Sequence, residues 1–291
     1  QEEEPQLDSQ TDHDLQEAAD QLFKFENVEE FQKLRHHTTV ESALTQLREL
    51  ATELNQVDSK QFLPAPASCF ITCNSYTKPS YQLGVGPIND AITVAANHRV
   101  MGYKVYFLHN PTPVQYLKFL KVFLKLTEKY LSVYYTGHGS QVKDTNGDEE
   151  DGYDEVIVFD TGYIVDDELV SYISKYFNQK AHTILMNDCC HSGTVWDIPE
   201  DLEKAQQLPP NILALSAALD SQTAKQTTIE ANDQGVFTYN FWTLVRNNPT
   251  ITAPVAQNIL NRTLKRFSQQ FVACATRKEM LEKPIFPLLG Q

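Results

Sequence analysis

The amino-acid sequence predicts an α/β fold with a mostly parallel central sheet and helices on both faces. Two observations carry the prediction. Five short apolar runs, 68–73 (SCFITC), 103–108 (YKVYFL), 131–136 (LSVYYT), 182–187 (HTILMN) and 212–216 (ILALS), alternate with helical segments over 88–101, 113–129 and 167–177. That alternation is what parallel strands joined by crossover helices produce. In addition, LSVYYT and HTILMN run directly into small and reactive residues, Gly137-His138-Gly139-Ser140 and Asp188-Cys189-Cys190-His191-Ser192-Gly193. Open α/β sheets collect ligand-binding and catalytic groups at the carboxyl ends of their strands.

Taken in order, residues 1–12 are acidic and polar and read as disordered. Over 14–55 the reading is helical. Val40, Ala43, Leu44, Leu47, Leu50 and Leu54 recur at helical spacing and make one apolar stripe, with Thr38 or Thr39 as the cap. PAPAS at 64–68 interrupts the pattern and reads as a linker. The boundary is placed there: an N-terminal helical segment and linker over 1–65, then the main domain over 66–291. Within that domain Thr112 and Pro113 occupy the preferred N-cap and N1 positions of a helix. Two further helices are expected at 236–246 and 254–270, and no internal repeat is present.

The net charge of −14 argues against nucleic acid as a partner. The acid is concentrated. Residues 1–60 hold 15 Asp and Glu against 5 Lys and Arg, and residues 144–168 hold 11 with no Lys or Arg. The second cluster needs a cation, a basic partner or full solvation. No run of about 18 apolar residues exists, so no membrane helix is expected. Five cysteines, an odd number with two adjacent, suit a reducing compartment without a disulfide framework. No signal peptide is visible, and the expectation is a cytoplasmic or nuclear protein. The chain starts at Gln1 rather than Met, which leaves room for a removed leader.

If the strands ending in His138 and in the cysteine pair are parallel neighbours, an imidazole and a thiol meet on one edge of the sheet. A thiol needs a base or an electropositive site to become a thiolate near neutral pH. A histidine in reach supplies it and then protonates a leaving amine. Gly137 and Gly139 allow close backbone approach, and the N–H of Gly139 and of the nucleophile are candidates to hold an oxyanion. Taken singly, a histidine after a strand is more often structural and a strand-end cysteine more often an inert small hydrophobe. A zinc site from Cys189, Cys190 and His191 is a poor alternative, because adjacent residues converge badly on one metal and C-x-x-C is absent. The chemistry alone does not choose between the two cysteines.

Together, TGHGSQ (136–141), NGDEEDGYDEVI (146–157), IVDDEL (164–169), DCCHSGTVWDIP (188–199) and DSQTA (220–224) resemble the metacaspases, caspase-like cysteine peptidases of clan CD, in the type I-like architecture. The resemblance is good over 66–246 and weak outside it. It implies the caspase-like fold, with a large-subunit-like part at 66–200 and a small-subunit-like part at 211–291. It places the nucleophile on Cys190 and the general acid/base on His138, with Cys189 in a variable slot. It implies cleavage after Arg or Lys, with Asp90 and Asp188 as pocket acids, Thr136 beside them and Asp220 as a weaker candidate; a basic side chain wants such an acidic pocket. For Asp90 taken alone, helix capping is an equal reading.

The family is commonly calcium-activated, and the carboxylates implied as Ca²⁺ ligands are Asp154, Asp166, Asp167 and Asp197. Residues 144–155 sketch an EF-hand loop, but its sixth position is Glu149 instead of Gly, so a true EF-hand is rejected. For Asp166 and Asp167 taken alone, a helix N-terminus is the competing reading. The resemblance further implies protein or peptide substrates, a monomer, a role in regulated cell death, and a self-processing zymogen, for which Lys60 and Lys204 are candidate cleavage sites. The sequence departs from the family at Pro87, where Cys is common, and at Thr72-Cys73-Asn74-Ser75-Tyr76. Two other readings stand beside this one: a catalytically silent Ca²⁺-binding interaction protein, and a legumain-like or gingipain-like peptidase.

Overall fold

A computed structural model describes residues 34, 37–145, 147, 152–189, 196–217, 226–229, 232–265 and 269–287. Seven strands form the main sheet: β1 (Thr52–Glu53), β2 (Ala67–Cys73), β3 (Lys104–His109), β4 (Tyr130–Thr136), β8 (His182–Asp188), β9 (Ile212–Ser216) and β12 (Val272–Ala275). Their spatial order is β1-β3-β2-β4-β8-β9-β12, and every pair is parallel except β9 with β12. The five strands expected from the sequence are all present. Near-continuous apolar runs form them because both faces of the sheet are covered.

The helices are α1 (Val40–Leu50), α2 (Gly86–Val100), α3 (Pro113–Leu126), α4 (Asp166–Tyr176), the single-turn α5 (Leu202–Ala205), α6 (Val236–Asn247), α7 (Ala253–Leu264) and α8 (Glu279–Glu282). Alternation along each strand divides the core in two. Ile71, Phe107, Tyr134, Ile184 and Met186 pack with α1, α2, α6 and α7 on one face. Phe70, Val133, Tyr135 and Leu185 pack with α3 and α4 on the other. There Phe70 stacks on Phe123 at 4.6 Å and on Tyr116 at 5.8 Å. Thr112 caps α3, accepting from Gln115 N at 3.1 Å, as its sequence predicts.

The N-terminal boundary differs from expectation. The stripe on α1 forms as predicted, with Thr39 as the N-cap, but Ala43, Leu44, Leu47 and Leu50 are buried in the same core as α2. β1 then adds the outermost strand beside β3, and Leu54 N donates to Phe107 O at 2.8 Å. PAPAS is itself tied down: Pro66 O accepts from Lys129 N at 2.9 Å and Tyr130 N at 3.1 Å. It is a loop within one core, so the segment from Val40 onward packs with the residues after 66. Residues 1–33 lie outside those described.

Three further strands, β5 (Gly139–Lys143), β6 (Tyr153–Phe159) and β7 (Gly162–Val165), make a small antiparallel sheet in the order β5-β6-β7. A short antiparallel pair, β10 (Gln226–Ile229) and β11 (Asn232–Gly235), precedes α6. At the far edge of the main sheet, Asn261 on α7 accepts from Phe271 N at 2.7 Å and donates to Phe271 O at 3.1 Å, and Gln257 accepts from Ala273 N at 3.0 Å. These side chains occupy backbone groups of an edge strand, which otherwise invite pairing with another chain. The part-buried Asn261 is also the acceptor position of the sequon Asn261-Arg262-Thr263, and its amide is committed to this structural role.

Candidate active site

β4 and β8 are parallel neighbours in register, with Tyr130 opposite His182 and Thr136 opposite Asp188. Gly137-His138-Gly139 and Asp188-Cys189 therefore leave the same edge of the sheet, beside the loop that follows β2. From β2 the chain crosses to β3 on one side and then to β4 on the other, so this edge includes the topological switch point where α/β sheets bind ligands.

His138 is held on three sides. Its Nε2 donates to Tyr81 O at 2.6 Å, which places the proton on Nε2 and leaves Nδ1 as the second, acceptor nitrogen of the neutral ring. Its backbone N–H donates to Tyr76 Oη at 2.7 Å, and its carbonyl accepts from Tyr135 Oη at 2.8 Å and Val158 N at 3.0 Å. The Tyr76 ring lies 4.8 Å from the imidazole and the Tyr81 ring 6.0 Å. Tyr76 has φ 62°, a left-handed conformation uncommon outside glycine and asparagine. Asn110 accepts from its N–H at 3.0 Å. Burial raises both the Tyr76 and Tyr135 phenols well above their ordinary range, so each stays a neutral hydrogen-bonding hydroxyl.

Gly139 opens β5 opposite Ile157. The preceding position carries the bond from Val158 N to His138 O, so antiparallel alternation turns the Gly139 N–H away from β6. That orientation is compatible with the oxyanion role expected of it.

Asp90, Asp188 and Thr136 do come together, around the Tyr134 hydroxyl. Asp188 ends β8 and Thr136 ends β4, while Asp90 lies on α2; all three are buried. Thr238 on α6 donates from Oγ1 to Asp188 Oδ2 at 2.8 Å, and Tyr134 Oη lies 3.0 Å from the same Oγ1. The threonine proton goes to the carboxylate, and the single Tyr134 proton is shared within the cluster of Thr238 and Asp188. Burial raises the Asp188 pKa to about 6, while hydrogen bonds from Thr238 and Tyr134 oppose the rise. Burial, then the charges of Asp188 and Asp90, push the Tyr134 phenol up in turn. Two acids sharing an enclosed hydroxyl cluster form a site a guanidinium or ammonium would neutralise.

Cys190 lies outside the described residues, as do His191 and Asp220. Cys189 is buried with Tyr135, Trp196 and Ile198 on the α3/α4 face. On the other side of 190–195, Trp196 donates from Nε1 to the Asn187 side chain at 3.0 Å, and that side chain donates to Met186 O at 3.0 Å. Cys189 and Trp196, the described residues on either side of 190–195, are thus both packed against the end of β8.

The acids expected to hold Ca²⁺ differ in their surroundings. Asp154 and Asp166 are buried, as is Glu155; Asp167 is half-buried and Asp197 exposed. Asp166 accepts from Glu155 N at 3.2 Å and Asp167 N at 2.9 Å, and Gln141 donates to Glu155 at 2.7 Å. Oxygen donors of this kind suit a hard cation. Among the described residues, however, no three acids close on one point as a metal site.

The sequence reading missed Tyr76, Tyr81, Tyr135 and Thr238. Tyr135 was legible only as a strand residue, Tyr81 acts through its carbonyl, and Thr238 lies 50 residues beyond Asp188.

Comparison with known proteins agrees with this fold. Residues 98–199 match the family model for the metacaspase, peptidase C14 domain. Metacaspase-1A of Neurospora crassa is 48% identical over 73 residues, 24% of this chain and 16% of that protein. Metacaspase III c of Phaeodactylum tricornutum is 40% identical over 83 residues, 27% of this chain and 25% of that protein. The matched stretch thus spans about a sixth to a quarter of those relatives. Among solved structures, a Geobacter sulfurreducens protein superposes with TM-score 0.59 at 22% identity, covering 77% of this chain and 100% of that one. The Drosophila initiator caspase Dronc does so with TM-score 0.50 at 12% identity, covering 75% and 81%. Residues 98–199 are thus similar to the metacaspase, peptidase C14 domain, and the chain is built on the caspase-like α/β fold.

Proposed function

We propose that this chain is a cysteine endopeptidase that cleaves after Arg or Lys, with Cys190 as nucleophile and His138 as general acid/base. The observation that carries the reading is the register of β4 with β8, which ends the strands leading into Gly137-His138 and into Asp188-Cys189 at one edge. Cys190 thiolate attacks the scissile carbonyl, and the Gly139 N–H and the nucleophile's own N–H hold the oxyanion. The imidazolium of His138 protonates the leaving amine from Nδ1, while Nε2 stays on Tyr81 O. Water then attacks the thioester, His138 takes its proton, and the thiol is restored as the acid product leaves. Asp188 and Asp90 receive the P1 cation, with Thr136 supporting Tyr134 between them.

Ca²⁺ is proposed as the activator, through Asp154, Asp166, Asp167 and Asp197. The support is oxygen-donor chemistry and the burial of Asp154 and Asp166; bound there, the ion would offset the repulsion of the acidic cluster. Self-processing is proposed at Lys60 and Lys204, both exposed, in a monomeric zymogen that acts in regulated cell death in the cytoplasm or nucleus. Among the described residues no helix is long and apolar enough to cross a membrane.

Digestion of a peptide library with and without millimolar calcium, with Cys190→Ala as control, tests the reading. Cleavage after Arg or Lys that needs calcium and vanishes in Cys190→Ala is expected. Cleavage by Cys190→Ala would overturn the nucleophile assignment, and equal turnover in EGTA would overturn the calcium assignment.

A further inference from the structure

A half-buried acid on the turn between β6 and β7 reaches into the active-site loop. Asp160 Oδ1 accepts from Thr77 N at 2.9 Å and Lys78 N at 3.2 Å, and Oδ2 accepts from Thr77 N at 3.2 Å and Thr77 Oγ1 at 3.1 Å. The next residues, Pro79–Tyr81, form one turn of 3₁₀ helix, closed by Tyr81 N donating to Lys78 O at 2.9 Å. Lys78 Nζ lies 4.3 Å from the Tyr81 ring centroid. That turn delivers the Tyr81 carbonyl to His138 Nε2. Upstream of the clamp, Tyr76 holds the His138 N–H and donates to Val158 O at 2.8 Å, two residues before Asp160. The end of β6 and the turn after it therefore contact Tyr76 directly and reach the Tyr81 turn through Thr77 and Lys78.

We propose that Asp160 is a positioning residue for His138: by clamping Thr77 and Lys78 it fixes the Tyr81 carbonyl, and so the tautomer and orientation of the ring. The assignment rests on the peptidase reading for its effect on rate, though not for its effect on the ring. A carboxylate is required because it accepts from two adjacent backbone N–H groups and a hydroxyl at once, and charged acceptors make stronger bonds. An amide offers one acceptor oxygen, so Asp160→Asn keeps part of the clamp and Asp160→Ala keeps none. Thr77→Ala removes the hydroxyl alone.

The experiment compares wild type, Asp160→Ala, Asp160→Asn and Thr77→Ala in calcium. It reads thermal melting, kcat and KM on an Arg-containing fluorogenic peptide, and ¹⁵N spectra of the His138 ring. The expected order of effect is Asp160→Ala, then Asp160→Asn, then Thr77→Ala. In Asp160→Ala, kcat falls about 100-fold, the loss associated with roughly 1 Å of misplacement. KM changes little, and His138 loses its single Nε2–H tautomer. A folded Asp160→Ala with that tautomer intact, or with kcat within about 2-fold of wild type, would overturn the assignment. If the wild type cleaves nothing, the peptidase reading fails, and the ring spectra still decide the role of Asp160.

Discussion

Gly137→Ala is expected to cut kcat/KM by about 100-fold or more while leaving the main sheet folded. A Cβ at this position would stand 2.6 Å from Tyr76 Oη, 2.8 Å from Tyr135 Oη and 3.1 Å from Asn74 Nδ2. Neither hydroxyl is a flexible side-chain end. Both tyrosines are buried; Tyr76 donates to Val158 O at 2.8 Å and accepts the His138 N–H, and the one Tyr135 hydroxyl proton is shared between Val158 O and the His138 carbonyl, each 2.8 Å away. The added methyl therefore displaces either the tyrosine pair or the turn, and both hold the imidazole in place. Overpacking of this kind costs about 1–3 kcal/mol, and a displacement near 1 Å costs about 100-fold in rate. Urea unfolding with steady-state kinetics separates the two effects. Activity within about 3-fold of wild type would show that the Tyr76–Tyr135 cradle does not set His138.

Asp188→Asn should make the protein more stable and less active. The Asp188 pKa stands at about 6 in the fold against an ordinary 3.8, because burial disfavours the charge more than Thr238 and Tyr134 offset it. Well below pH 3.8 folded and unfolded chains both hold the proton, and the carboxyl costs nothing. As pH rises, the unfolded chain releases its proton first. Stability is lost through about pH 6, reaching a cost of about 3 kcal/mol at neutral pH. Asn cannot ionise, and its amide oxygen still accepts from Thr238. The variant should therefore melt about 5–10 °C higher at pH 7.5, and the gap should close as pH falls below the ordinary 3.8.

The same change removes a charge that would pair with P1 Arg. Losing one partner of a buried charged pair should lower kcat/KM roughly 30- to 1000-fold. Stability exchanged for function in this way is common at binding sites. Unchanged cleavage after Arg in a stabilised Asp188→Asn would remove Asp188 from the pocket.

The parts of this site that could be read in the sequence share one property: the side chain itself carries the chemistry. His138 stood out as a histidine flanked by glycines at the end of an apolar run, and the parallel pairing it needed with β8 is present. What could not be read acts through backbone or through distant chain. Tyr81 contributes a carbonyl, which any residue has. Tyr76 depends on a left-handed φ that nothing in its neighbourhood announces. Thr238 reaches Asp188 from another helix.

In the fold, the apolar strands were legible because burial on two faces demands apolar runs. The small β5–β7 sheet was not, since β6 carries Asp154 and Glu155 inside an acidic stretch that read as a cation-binding loop. β1 is too short to show a period. The proline-rich stretch at 64–68 resembles a linker in composition, yet the Pro66 carbonyl is bound at the head of β4.

The pairing of Cys190 with His138 is tested most directly by covalent labelling. The protein in calcium is treated with an Arg-chloromethylketone, digested, and the adduct located by mass spectrometry in wild type, His138→Ala and Cys189→Ser. The expected result is one adduct, on Cys190, retained in Cys189→Ser and formed far more slowly in His138→Ala. An adduct on Cys189, or labelling of Cys190 at an unchanged rate without His138, would contradict it.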